Sequence, residues 1–244
     1  MPRILTFALV APIAAFGAIA VGERRSGWDR PARSAVLGLL GACLGVRRDD
    51  DAGQAALAED YALALLCHAP GRLLADYHTA QVPPTQRGRR FPTRAAELAA
   101  DQLNTVLSRR DYRTGAWHLG ALWPRHAQAR WSLEELAEAM GRPCFVPYLG
   151  RKSCPLGLPL APAIAEAADA MEALRIRHEA GPEAAWRNRM AEAAIEPVFA
   201  VDAADAPTND PRLRRIEFRR DQPRSRRRWQ FDLRGEAVLG AGSA

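Results

Sequence analysis

The chain opens with a nearly unbroken apolar run, Ile4 to Val10, which predicts a strand buried on both faces and then a Pro12/Gly17 turn. Pro31 to Ser34 then introduces Ala35–Gly45, whose small and apolar residues predict a close-packed buried helix stopped by Gly45. Beyond a polar turn at Arg47–Asp51, Leu57, Tyr61 and Leu65 recur at helical spacing and predict a second helix from Gln54 to Cys67. Leu73 to Val82 reads as a strand. Residues 105–123 read as a hairpin turning at Arg113-Thr114-Gly115, with Trp117, Leu119, Ala121 and Trp123 on one face of its second arm.

Ser132-Leu-Glu-Glu135 is a capping box that opens a short helix, Leu133 to Met140. Cys144 to Tyr148 follows as a strand entering the loop Leu149–Pro155. From 161 to 206 the pattern predicts helix over much of its length, broken at Gly181-Pro182. The tail alternates like sheet, with Ile216 and Phe218 on one face and then Trp229, Phe231 and Leu233. Across the first 150 residues the order strand–helix–strand–strand–helix–strand suits a ferredoxin-like α+β sandwich, with the basic stretch near 83–104 as an insertion.

Charge adds a second layer. The chain carries a net charge of +6, and 33 of its 34 basic side chains are arginine, Lys152 being the exception. Such an excess suits nucleic acid, an anionic surface or an acidic partner. G+C-rich coding sequence also raises arginine and alanine together, so the total says less than the placement. Residues 161–206 hold nine acids against four arginines, whereas 211–228 hold nine arginines against two acids.

Several classes of chemistry find no support. The cysteines, Cys43, Cys67, Cys144 and Cys154, form no C-x-x-C pair, and the five histidines show no ligand spacing. No metal or other cofactor is expected, and scattered thiols suit a reducing cytosol. Nucleophile-elbow, zinc-protease and paired-carboxylate motifs are absent. The apolar run Ile4–Val21, flanked by Arg3 and Glu23-Arg24-Arg25, also admits a leader or membrane anchor, although Pro12 and Gly17 interrupt it.

Three segments could grip a nucleic-acid backbone. In Tyr148-Leu-Gly-Arg-Lys-Ser153 a glycine lets backbone N–H groups approach a phosphate, Arg151 and Lys152 neutralise it, and Ser153 donates a further hydrogen bond. It is not a Walker loop, because only Gly150 precedes the cation pair. A second segment carries Arg87, Arg89, Arg90 and Arg94, with Tyr77 and His78 upstream and Arg109, Arg110 and Tyr112 downstream; aromatics among arginines suit single-stranded RNA. A third places Arg24, Arg25, Arg30 and Arg33 near the start of the first long helix, whose N-terminus favours anions. The plain alternative for each is a solvated basic loop. His78 beside Tyr77 also admits a general base for RNA cleavage.

Read in order, four segments resemble one family. They are Ala11-Pro-x-x-Ala-Phe-Gly17; Pro31-x-Arg-Ser34 leading into Leu37–Gly45 with Arg48-Asp-Asp50; Asp76-Tyr-His-Thr79; and Tyr148-Leu-Gly-Arg-Lys-Ser-Cys-Pro-Leu156. The chain is similar to the CasD family, subunits of the type I-E CRISPR Cascade complex that hold the 5′ handle of the CRISPR RNA (crRNA). Phe16 stands where the family usually shows tryptophan, and the thumb matches only at its base and around Arg109.

The resemblance implies a ferredoxin-like palm over 1–160 with 76–112 as an inserted thumb, followed by a smaller helical and β region over 161–244. It implies RNA contacts from Arg25, Arg33 and Ser34, from a thumb running from Tyr77 and His78 through Arg87, Arg89 and Arg90 to Arg109, and from Tyr148, Gly150, Arg151, Lys152 and Ser153. The implied partners are the crRNA handle, CasC backbone subunits, the large CasA subunit and, through the complex, target DNA, with no membrane. In members of this subtype another subunit cuts the guide, so no catalysis is expected. A CasD-like protein of a related subtype does cleave precursor RNA, and Tyr77, His78 and Lys152 would be the candidates here.

Overall fold

The computed structural model describes residues 1–18, 20, 22–85, 88, 90–190, 196–207 and 209–240. Its core is strand β1 (Arg3–Ala14), which lies between β5 (Asn104–Pro124) and β6 (Ala163–Glu166), antiparallel to both. Leu5, Phe7 and Leu9 enter one hydrophobic cluster while Ile4, Ala8 and Val10 enter another. A strand covered on both faces favours apolar residues throughout, which is why Ile4–Val10 shows no alternation and its one polar residue, Thr6, donates its hydroxyl to the Ala163 carbonyl. The leader or anchor reading of this run therefore gives way to a central sheet strand. Among the described residues no helix is long and apolar enough to cross a membrane.

The sheet continues from β5 to β3 (Tyr61–Ala69), β7 (Val198–Asp202), β9 (Gln230–Gly240) and the edge strand β8 (Leu213–Ser225). The architecture is mixed α/β around one large, mainly antiparallel sheet, and residues after 160 extend that same sheet. Helices α1 (Arg33–Leu44), α2 (Asp51–Glu59) and α4 (Leu133–Gly141) cover one face through Val36, Leu40, Leu57, Leu136 and Met140. Helix α5 (Ala170–Ala180) covers the other through Met171 and Leu174, followed by α6 (Ala184–Met190) after the break at Gly181. The capping box forms as its spacing requires, Ser132 and Glu135 bonding reciprocally at the start of α4.

Three sequence expectations are corrected. The second helix stops at Glu59, and Tyr61–Ala69 is the fully buried strand β3; a run enclosed on both faces carries no period that separates strand from helix. The Arg113–Gly115 segment makes no turn, because Thr114 pairs with Ile13 on one side and Arg72 on the other, so β5 runs straight through. Its partner in the projecting hairpin is β4 (Arg72–Val82), matched from Arg72↔Thr114 to Val82↔Asn104, with α3 (Arg94–Leu98) near the tip. Nor is Cys144–Tyr148 a strand. Cys144 and Phe145 donate their N–H groups to the Cys43 and Ala42 carbonyls, at 2.9 and 3.0 Å, and so satisfy the C-terminal end of α1 instead of a sheet neighbour.

Candidate nucleic-acid interface

Where β5 leaves the sheet and enters the hairpin, arginines gather. Strand β2 (Arg24–Arg25) runs parallel to β5 with Arg24 opposite Arg109 and Arg25 opposite Arg110. On the other side of β5, Asp76 is opposite Arg110, Tyr77 opposite Arg109, and His78 opposite Ser108. Buried Asp111 lies beneath, 3.9 Å from Arg24 and 3.6 Å from Arg109. Asp111 and Asp76 thus stand against four arginines, and the patch keeps a net positive charge. Tyr77 is 63% exposed, an aromatic face held among these cations. The His78 ring contacts the Asp76 carboxylate.

The loop 148–155 stands beside this patch. Its ends bridge through Tyr148 and Pro155, Leu149 N–H bonds the Cys154 carbonyl at 2.9 Å, and Cys154 N–H bonds the Arg151 carbonyl at 2.8 Å. Gly150 has φ +94°, and a Cβ there would lie 1.7 Å from the Ala15 carbonyl oxygen, so only glycine permits this seating on the end of β1. The result aims Arg151 at the root of the hairpin, its guanidinium 4.6 Å from the centre of the Tyr112 ring. Its Nη1 is buried without a hydrogen-bond acceptor among the described residues. Lys152 and Ser153 are exposed beside it.

The remaining candidates divide. Arg90 is exposed towards the end of the hairpin, whereas Arg87 and Arg89 lie outside the described residues. Arg33 points inward: Nη2 donates to the Ala58 and Tyr61 carbonyls at 2.9 and 2.7 Å, and Nη1 lies 3.2 Å from Asp202. Burial pushes its pKa down to about 10 against the pull of Asp202. Arg30 is likewise enclosed, bonded to Glu236 and Asp29 at 2.8 Å each and also to Glu217. The N-terminus of α1 already holds an anion, since Asp221 accepts the Arg33 N–H at 2.9 Å. The expectation that Arg33 presents its side chain to RNA is therefore corrected: the guanidinium serves the interior, where Asp202 of β7 and the Ala58 and Tyr61 carbonyls claim it.

Ser34 lies on another flank of the loop. Together with Tyr148 and Gly150 it lines a cleft of about 870 Å³ between α1, the 145–150 segment and the β8–β9 turn. Arg48, Arg226 and Trp229 line the same cleft. In the sequence the arginine-rich tail and its aromatics stand outside the three candidate segments. The available signal was Arg226-Arg227-Arg228-Trp229, cations directly followed by an aromatic.

The family model described as "CRISPR-associated protein (Cas_Cas5)" matches residues 4–234, which takes in the loop, the hairpin, β8 and the first part of β9. The chain belongs to the Cas5 family. It is 34% identical over 182 residues to the "CRISPR system Cascade subunit CasD" of Escherichia coli (strain K12), a match covering 71% of this chain and 76% of that protein. A structure titled "CRISPR RNA-guided surveillance complex" contains a chain superposing with TM-score 0.65 at 21% identity, over 97% of this chain and 89% of that one. A "Crystal structure of Cas protein" superposes with TM-score 0.57 at 22% identity, over 98% and 95%. At those identities the two structures speak for the fold alone. The resemblance to CasD read from the four segments agrees with the family match.

Proposed function

We propose that this Cas5-family chain is the crRNA-binding subunit of a type I-E Cascade surveillance complex, and that it clamps the 5′ handle of the guide without cutting it. The observation that carries the reading is the approach of Arg151 to Tyr112. Through it the Gly150–Ser153 loop stands beside Arg24, Arg25, Arg109 and Arg110, segments far apart in sequence that together form one cationic, aromatic surface. Arginines hold phosphates and exposed rings stack unpaired bases, which is how single-stranded RNA is gripped without catalysis. In this reading the palm is ferredoxin-like, the β4–β5 hairpin is the thumb, and the residues from 161 onward close the clamp. The chain caps the CasC filament, touches CasA, meets target DNA only through the assembled complex and works in the cytoplasm.

A gel-shift titration of the full chain with labelled repeat-derived RNA tests this reading. Affinity should fall steeply as salt rises, because each neutralised phosphate releases counterions. No binding of this RNA, or an affinity unchanged from low to high salt, would remove the proposal.

The contact between His78 and Asp76 favours one second reading, a metal-independent endoribonuclease using Tyr77, His78 and Lys152, since a carboxylate orients an imidazole for proton transfer. Incubation of the protein with precursor repeat RNA distinguishes the two. The clamp reading expects intact RNA; a discrete product lost in His78→Ala would establish the nuclease instead.

A further inference from the structure

The clamp reading gives no role to Arg48, Arg226 and Trp229, which line the cleft on the Ser34 flank of the loop. Three observations there point the same way. First, Arg226 is laid over the first turns of α1. Its Nη2 donates to the Ser34 carbonyl, and a Cβ on Gly38 would lie 3.3 Å from both terminal nitrogens, so the helix is stripped of side chain where the guanidinium crosses it. Its Nε is buried with no acceptor among the described residues, and burial, with Arg48 adding to it, pushes the Arg226 pKa down to about 10. A second cation is held near the first with no carboxylate bonded to either guanidinium among the described pairs, which favours an anion from outside.

Second, Trp229 is 60% exposed at the tip of the β8–β9 turn, with its ring edge-on to Phe231 at 5.4 Å and Arg48 4.9 Å from its centre. Third, its backbone sits at φ +56°, a region that bulky side chains rarely enter. Strain of this kind persists where the surroundings fix it, and it concentrates at binding sites. A large ring is thus kept exposed over a cationic cleft of about 870 Å³, ample for one nucleotide.

We propose that this cleft is a pocket for a single unstacked nucleotide of the bound RNA, with the base lying on Trp229 and its phosphate held by Arg226 and Arg48. The inference rests on the clamp reading and extends it: the C-terminal strands β8 and β9 form one jaw. Aromatic stacking accepts any base, so the pocket senses that a base is present at one position of the strand rather than which base it is.

The test is a double-mutant cycle on the full chain, pairing Trp229→Ala with RNAs that each lack one base at a successive position. Trp229→Ala should bind repeat-derived RNA about 5- to 150-fold more weakly, the range expected for one stacked base. One abasic position should weaken the wild-type chain by the same factor and leave the variant unaffected, and Trp229→Phe should restore most of the affinity. If a folded Trp229→Ala binds as the wild type does, or if every abasic effect adds to it independently, the pocket is wrong. The clamp reading would survive that result provided that replacing Arg151 and Lys152 still weakened binding. No binding by the wild type would end both.

Discussion

Arg234 and Asp221 meet at two points, Nε to Oδ1 and Nη2 to Oδ2, each at 2.9 Å, with both side chains buried. The same Asp221 caps α1 through the Arg33 N–H, so one carboxylate ties β8, β9 and the first helix together. Around it Arg30, Arg33 and Arg219 share Asp202, Glu217 and Glu236. Removing one partner of such a pair leaves a charge buried and uncompensated. Arg234→Ala should therefore lower stability by about 3–5 kcal/mol. Urea unfolding followed by far-ultraviolet circular dichroism checks it, and a loss under about 1 kcal/mol would show that the network is not tightly coupled.

Gly150→Ala has nowhere to put its methyl group, with the Ala15 carbonyl oxygen 1.7 Å from the new Cβ and the backbone at φ +94°. The loop must lift from β1, taking Arg151 away from Tyr112. RNA affinity should drop at least tenfold while the sheet melts within a few degrees of the wild type. Parallel gel-shift and thermal melts separate the two effects.

Arg151→Ala with Lys152→Ala removes two cations from one loop. If each holds a phosphate, the slope of log affinity against log salt should become shallower by about 1.4, since single strands release roughly 0.7 counterion per contact. An equal loss of affinity at every salt concentration would place these residues in a structural role.

His118 supplies a pH dependence. The ring is fully enclosed, edge-on to Phe16, and neither nitrogen has a partner among the described residues. Burial, assisted by the charges of Arg30 and His68, pushes its pKa down to about 3; burial and then His178 push His68 down to about 4. The unfolded chain therefore takes up these protons first. Their contribution to stability is complete above the ordinary value of 6.5 and is lost as pH falls through 4 and then 3. The urea midpoint should decline steadily from pH 7 to pH 4, and His118→Leu should flatten part of that decline without lowering stability at pH 7. A parallel pair of curves would contradict this.

Much of the frame is legible in the sequence where the signal is local. Ile4–Val10 predicts its strand, Gly45 the end of α1, and Ser132 with Glu135 the start of α4. Strand β3 is not legible, since burial on both faces erases alternation. The bonding of Cys144 and Phe145 depends on carbonyls at the end of α1, which no window around residue 144 contains. The site divides by the same rule. Gly150-Arg-Lys-Ser153 carries its chemistry in adjacent residues and can be read directly. Arg30 and Arg33 look equally cationic, but the acids that claim them, Asp202, Glu217 and Glu236, are supplied by strands near the other end of the chain.

The passage of β5 from sheet to hairpin without a turn has a further consequence. Successive side chains on a strand alternate between faces, so palm and thumb share one parity along these 21 residues. Loss or gain of a single residue between Arg110 and Ala116 would leave Trp117 and Leu119 in the core yet rotate the outer half by one step. Arg109 and Arg110 would then exchange sides, and the cations now beside the loop would face away from it. In that stretch the length of the strand matters to binding as much as its composition.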